Sequence, residues 1–274
     1  MSSSHRIDLV GLGIVFACSL VACEPKLVVG KKKVVEAQGC VPADGGGAGA
    51  PSTEALVEIG WSTGFENGFC DYQPPLGFCY ADPGAAHEIV NAPVHSGRSA
   101  AAFRVTSDLD GRQTRCVREG TLPADAVYGA WFYVPALAEN AINWNLIHFQ
   151  GGAAAPLFHN LWDVSLANAD DGSLVLYVRD FMNGSPGSGD ARFPETQRPI
   201  PIGAWFHVEF RLRRAADATG LVALYQGDAL LLEVPDIVTD DSELGQFYVG
   251  NLVGAITPPE STVYVDDVTV SASP

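Results

Sequence analysis

Apolar and polar residues alternate along this chain in short runs, and the runs are separated by Gly, Pro, Asn and Asp. AAFRV (101–105), YGAWFYV (128–134), NLIHF (145–149), LWDVSLA (161–167), LVLYVRD (174–180), WFHVEFRLR (205–213), LVALY (221–225), QFYVG (246–250) and VYVDDVTV (263–270) all have this form. A period of two puts successive side chains on opposite faces of a pleated strand, so each run can bury one face and leave the other open. Many short strands with turn residues between them, and no long stretch of period 3.6, predict an all-β fold, a sandwich or jelly roll of two antiparallel sheets. Helix is confined to a turn or two, for instance over residues 136–140, and Asp170, Asp171 and Gly172 read as a hairpin turn.

The alternation sorts the faces. Trp162, Val164 and Leu166 go inward and leave Asp163 and Ser165 opposite, while Leu174, Leu176 and Val178 go inward and leave Tyr177 and Arg179. In 205–213 the core set is Phe206, Val208, Phe210 and Leu212, with Trp205, His207, Glu209, Arg211 and Arg213 outside. Trp131 and Tyr133 are assigned to packing, because large aromatics dominate cores. Residues 128–150 read as two strands joined by a loop, and in the second Trp144, Leu146, His148 and Gln150 share a face. A face of Trp, His and Gln suits the floor of a groove that meets a sugar. Trp144 is the predicted stacking platform, with Asn145, Gln150, Asp163, Tyr177 and Arg179 placed to bind hydroxyls or charge, and His159 in a nearby loop.

The amino-terminal stretch has a polar segment with Arg6 followed by an apolar run over 9–22, which is shorter than the roughly 20 residues of a membrane span and of secretory-signal length. It ends in Leu20, Val21, Ala22 and Cys23, which resembles the bacterial lipobox. That resemblance implies a signal peptide over 1–22, lipidation at Cys23, and a lipid-anchored protein of the bacterial cell envelope, at the outer membrane or cell surface. Glu24 after the cysteine does not ask for inner-membrane retention. Residues 23–55 hold all four lysines and a Gly/Ala/Pro/Ser stretch that cannot bury a core, so they read as a flexible tether ahead of one domain over 56–274.

Hydrophobic residues are 47% of the chain, enough for a real core. The net charge is −16, and the domain has eleven arginines and no lysine, which excludes nucleic acid as a partner and removes lysine general-base or Schiff-base chemistry. Four cysteines remain beyond the anchor, and in an oxidising compartment they allow three pairings. Cys70 and Cys79 flank DYQPPLGF, a loop that turns back on itself, and are expected to pair, leaving Cys40 and Cys116 by elimination. No GxSxG, HExxH, P-loop or Rossmann pattern is present, nor a run of acidic residues suited to glycoside hydrolysis.

The order YGAWFYVPA, WNLIHFQG, LYVRD, PIPIGAWFHVEFRLRRAADATGLVALYQGDALL and STVYVDDVTVS resembles the concanavalin A-like lectin/glucanase jelly rolls, over roughly residues 56–272. Within them it is most similar to the heparin and alginate lyase type polysaccharide lyases. The resemblance implies that GRQTRCVRE (111–119) is the Arg-rich strand with Arg115 and Arg118 as matches, that Asn145 to His148 stands for the Gln-Ile-His element, and that QFYVGNL (246–252) supplies Tyr248. Arg115, His148 and Tyr248 are then the catalytic candidates for β-elimination: a carboxylate must be masked before the proton beside it can be taken. The match departs at two points, with Cys116 or Val117 where an acidic partner is expected and no lysine near Tyr248. No cofactor is required by such chemistry. Jelly rolls of this shape commonly hold a structural calcium near their first and last strands, which points to Glu66, Asp266 and Asp267. The expected protein is a monomer that binds a polysaccharide and reaches the membrane through its anchor. The other reading is a non-enzymatic surface interaction or adhesion protein.

Overall fold

The computed structural model describes residues 33–34, 40, 57–106, 111–140, 143–152, 159–184, 189–240, 242 and 244–274. The signal segment and Cys23 lie outside the described residues. In chain order the strands begin with β1 (Lys33–Val34), β2 (Trp61–Thr63), β3 (Gly77–Ala81), β4 (Ala85–Val90), β5 (Ala100–Thr106) and β6 (Arg112–Gly120). They continue with β7 (Asp125–Tyr133), β8 (Glu139–Asn140), β9 (Trp144–Gly152), β10 (His159–Asn168), β11 (Leu174–Asp180) and β12 (Asp190–Arg192). The last are β13 (Trp205–Arg213), β14 (Gly220–Gln226), β15 (Ala229–Ile237), β16 (Leu244–Val253), β17 (Ile256–Thr257) and β18 (Glu260–Ala272).

Two sheets result. The first runs β1-β3-β6-β16-β9-β10-β11-β12, and the second β15-β14-β13-β7-β18-β5-β4 with β2 also on β18. All of these strand pairs are antiparallel. This is a jelly-roll sandwich, as the alternation predicts. Residues 136–140 carry no helix: β8 pairs there with β17, and the described residues hold no α-helix but one 3-10 turn at Cys70–Tyr72. The 170–172 turn closes the β10–β11 hairpin, with Gly172 at φ 83° and its N–H donating to the Ala169 carbonyl.

The core lies between the sheets and is built by the predicted inward sets. Phe149 and Phe247 of the first sheet meet Tyr128 and Phe210 of the second at ring distances of 4.9–5.3 Å. Polar side chains also cross this layer, among them His87 of β4, whose Nδ1 is 2.9 Å from Thr114 Oγ1 of β6, and Asn251. Asn251 is fully buried, accepts a hydrogen bond from Trp144 Nε1, and donates to Ser261 Oγ and the Phe103 carbonyl, so it joins the two sheets with its amide satisfied. Trp131 and Tyr133, assigned to packing, instead stand on the outer face of the second sheet. There Trp131 stacks on His95 and His207, and Tyr133 meets Trp205 and Tyr264, because Ala130 and Phe132 occupy the inward positions of β7.

The disulfides are Cys40–Cys70 and Cys79–Cys116, not Cys70–Cys79. Cys79 and Cys116 are directly opposite on β3 and β6, Cα to Cα 4.0 Å, and both point into the core, so strand register decides the pairing rather than loop spacing. Cys70 is left for Cys40. The 23–55 stretch is therefore attached to the sandwich at two described places, β1 pairing with β3 and Cys40 bonded to Cys70. Peptide mapping under non-reducing conditions is expected to yield the 40–70 and 79–116 links. Loss of the second, which closes 37 residues, should cost about 2 to 4 kcal/mol in chemical denaturation; a 70–79 link would refute the assignment.

Candidate functional site

Because Cys79 and Cys116 face the core, their neighbours Phe78, Tyr80, Arg115 and Val117 must face outward from the first sheet. Register then carries this outward face across the sheet. Val117, Tyr248, His148, Asp163 and Arg179 stand side by side on β6, β16, β9, β10 and β11. The adjacent row holds Glu119, Gln246, Gln150 and Asn160, and on the other side Tyr80 stands opposite Arg115. Gly250 is opposite Arg115 with φ 146°, and a Cβ there would come within 2.5 Å of the Thr114 carbonyl. Only glycine lets the two strands close beside the arginine.

The predicted single face of β9 is split by a bulge. Ile147 pairs with Val164 but Asn145 with Ser165, so one extra residue shifts the alternation, and β16 shifts between Val249 and Leu252 to match. His148 and Gln150 point outward, while Trp144 and Leu146 belong to the core. Trp144 is thus no sugar platform: it is 1% exposed and bonded to Asn251. Asn145 is also consumed locally, since its Nδ2 donates to the Ile147 carbonyl across the bulge, and it is 1% exposed.

The outward residues are tightly interlinked. His148 Nδ1 is bonded to Asp163 Oδ1, and because a carboxylate only accepts, the ring donates from Nδ1. Tyr248 Oη shares its single proton between the Gln150 and Gln246 side-chain oxygens, at 2.8 Å for Gln150. The Tyr248 and His148 rings meet edge to face at 5.0 Å, and the Arg115 guanidinium lies 5.6 Å from the Tyr248 ring centre. Arg115 Nε is buried without a hydrogen-bond partner. Gln150 Nε2 donates to Asn160. Burial, reinforced by Tyr80 and opposed by Arg115, pushes the Tyr248 hydroxyl well above the ordinary tyrosine range, and burial also pushes Tyr80 up to about 12. Phe78, Tyr80, Val117 and Tyr248 form a separate apolar cluster on this face.

The structure therefore brings Arg115, His148, Tyr248, Gln150, Asp163, Tyr177 and Arg179 to one face, and excludes Trp144. Arg118 is excluded too: it alternates inward, lies 4.7 Å from the Trp61 ring and donates to the Asp71 carbonyl. His159 is exposed at the start of β10. The sequence reading missed Tyr80, Gln246 and Asn160. The cysteine pairing would have revealed Tyr80, since fixing Cys79 inward fixes both its neighbours outward.

Glu66, Asp266 and Asp267 close on the 95–99 segment. Glu66 Oε1 accepts the Arg98 and Ser99 N–H groups, Asp266 accepts those of His95, Ser96 and Asp267, and Asp267 binds His95 Nδ1 and Ser96 Oγ. Burial pushes the Asp266 carboxyl up. These carboxylates act as loop anchors, and among the described residues no group of His, Cys, Asp and Glu is arranged to hold a metal ion.

No protein-family model and no curated protein matches the chain. Among solved structures its fold is similar to endo-β-1,4-glucuronan lyase from the fungus Trichoderma reesei, at 16% identity and TM-score 0.58 over 79% of this chain and 96% of that one. It is also similar to the marine PL-14 alginate lyase from Aplysia kurodai, at 11% identity and TM-score 0.55 over 79% and 100%. The cellulose-induced protein Cip1 aligns at 14% identity and TM-score 0.53 over 78% and 97%. At these identities the likeness is one of fold.

Proposed function

We propose that the outward face of the first sheet binds a uronate-containing polysaccharide and cleaves it by β-elimination. The observation that carries this reading is the convergence of Arg115, Tyr248 and His148 on three adjacent strands, with Asp163 fixing the imidazole tautomer. Two proton-transfer groups stand side by side there, the Tyr248 hydroxyl and the His148 imidazole, whose rings meet edge to face at 5.0 Å.

In the proposed step Arg115 neutralises the uronate carboxylate and His148 Nε2 takes the proton on the adjacent carbon. That C–H electron pair becomes the ring double bond, the bond to the glycosidic oxygen breaks, and the oxygen takes the Tyr248 proton. Proton return from the imidazolium, directly or through solvent, resets the pair. Asp163 is a positioning residue here. The glucuronan and alginate lyases that share the fold support the substrate class as analogy.

The non-enzymatic reading is favoured by one observation: Tyr248, Gln150, Gln246 and Asn160 already satisfy one another. Incubation of the protein with polyglucuronate and with alginate separates the two. Growth of the ultraviolet absorbance of an unsaturated uronate, with new reducing ends, is expected; binding with no unsaturated product would leave a binding protein.

From the lipobox resemblance at Leu20 to Cys23 we also propose that 1–22 are removed, that Cys23 is lipidated, and that the mature protein is a monomer of the bacterial envelope.

A further inference from the structure

The outward face extends past Arg179 to the edge strand β12. That strand is fixed by its three register pairs with β11 and by Arg192, whose Nε and Nη2 donate to the fully buried Asp180 at 2.9 and 2.6 Å. Val178 is opposite Arg192, so one step further sets Phe193 beside Tyr177, and their rings stack 4.8 Å apart at 17°. Tyr177 is buried, whereas Phe193 is 45% exposed, the only Phe, Tyr or Trp among the described residues so open to solvent. A lone open ring needs no explanation by itself, but this one is held flat against a second ring by a strand clamped with a buried ion pair. Arg179 shares the face of Tyr177, and its Nε is buried without a hydrogen-bond partner.

We infer that Phe193 and Arg179 form a distal subsite for a second uronate unit of the polysaccharide chain, its apolar ring face on Phe193 and its carboxylate on Arg179. The charge balance selects a uronate over a neutral sugar. In a chain of net charge −16 a polyanion is repelled overall, so it binds only where arginines stand on the groove face, and a neutral glycan asks for no guanidinium. From Tyr248 on β16 to Tyr177 on β11 there are three interstrand steps, roughly 14 Å, more than one sugar ring spans. The subsite therefore acts on chain length, and it rests on the proposed function only in taking this face as the binding face.

The experiment measures binding by calorimetry and turnover by absorbance, using polyglucuronate and alginate oligosaccharides of graded length and cello-oligosaccharides as the neutral series. Phe193→Ala and Arg179→Gln should each weaken binding of the longer uronates about fivefold, with a loss that grows with length. Leu230→Ala, an exposed apolar residue on the far edge of the other sheet, should change nothing. Wild type should prefer the uronates to the cello-oligosaccharides, and salt should narrow that preference. If wild type binds long uronates and both variants bind them equally well at every length, the subsite is overturned while the lyase reading stands. If wild type shows no turnover but the variants lose uronate binding, the subsite stands and the lyase reading falls. Binding to none of the uronates overturns both, and equal affinity for the neutral series overturns the role of Arg179.

Discussion

Replacement of His148 by Ala is expected to abolish product formation, by about a thousandfold in kcat, while affinity for the uncleaved polysaccharide changes little. The reason is that a general base acts on the proton being transferred in the transition state and contributes little to the ground-state complex. Tyr248→Phe should give a loss of similar size, since the ring and its apolar neighbours Tyr80 and Val117 remain while the donated proton is removed. Asp163→Asn should fall between the two and wild type, because the imidazole survives but the acceptor that fixes its tautomer is weakened. The pH profile tells these roles apart from loss of fold. Its alkaline limb should lie above the ordinary tyrosine range because burial raises Tyr248. Turnover in His148→Ala equal to wild type, with a folded protein, would remove the histidine from the chemistry.

The sheets were legible because alternation is a local property. β11 and β13 begin and end where the apolar and polar residues stop alternating, and their inward residues are those the period assigns. Three features were hidden because they depend on register between distant strands. The cysteine pairing followed the β3–β6 register, which nothing in the spacing of Cys70 and Cys79 encodes. The bulge at Asn145 changes the phase of β9 by one residue, and a one-residue change moves every side chain on one side of it to the other face. Phe193 sits in a segment of no clear period, after a strand of only three residues, and is brought to the groove by β12 pairing at the sheet edge. His148, Gln150, Asp163, Tyr177 and Arg179 were found because they lie on the side of the bulge, or on strands, where the period holds.

The bulge also reverses what Trp144→Ala should do. With the indole on the groove floor, its loss would weaken sugar binding and leave stability nearly unchanged. With the indole in the core, 1% exposed, truncation removes its packing and strands the Asn251 oxygen that accepts from Nε1. Aromatic-to-alanine changes in cores cost about 3 to 5 kcal/mol, and leaving a buried acceptor unsatisfied adds to the upper end of that range. Against a total stability of about 5 to 15 kcal/mol this is a large fraction, and in a domain of this size it should lower Tm by on the order of 10 °C. Below that lowered Tm, uronate affinity should stay within about twofold of wild type, because no indole atom faces the groove. Trp144→Phe should recover part of the packing but not the hydrogen bond, and so fall between the two in calorimetric Tm. A Trp144→Ala protein with wild-type Tm and a severalfold weaker sugar affinity would put the indole back on the outer face, and with it the register of the whole β9 strand.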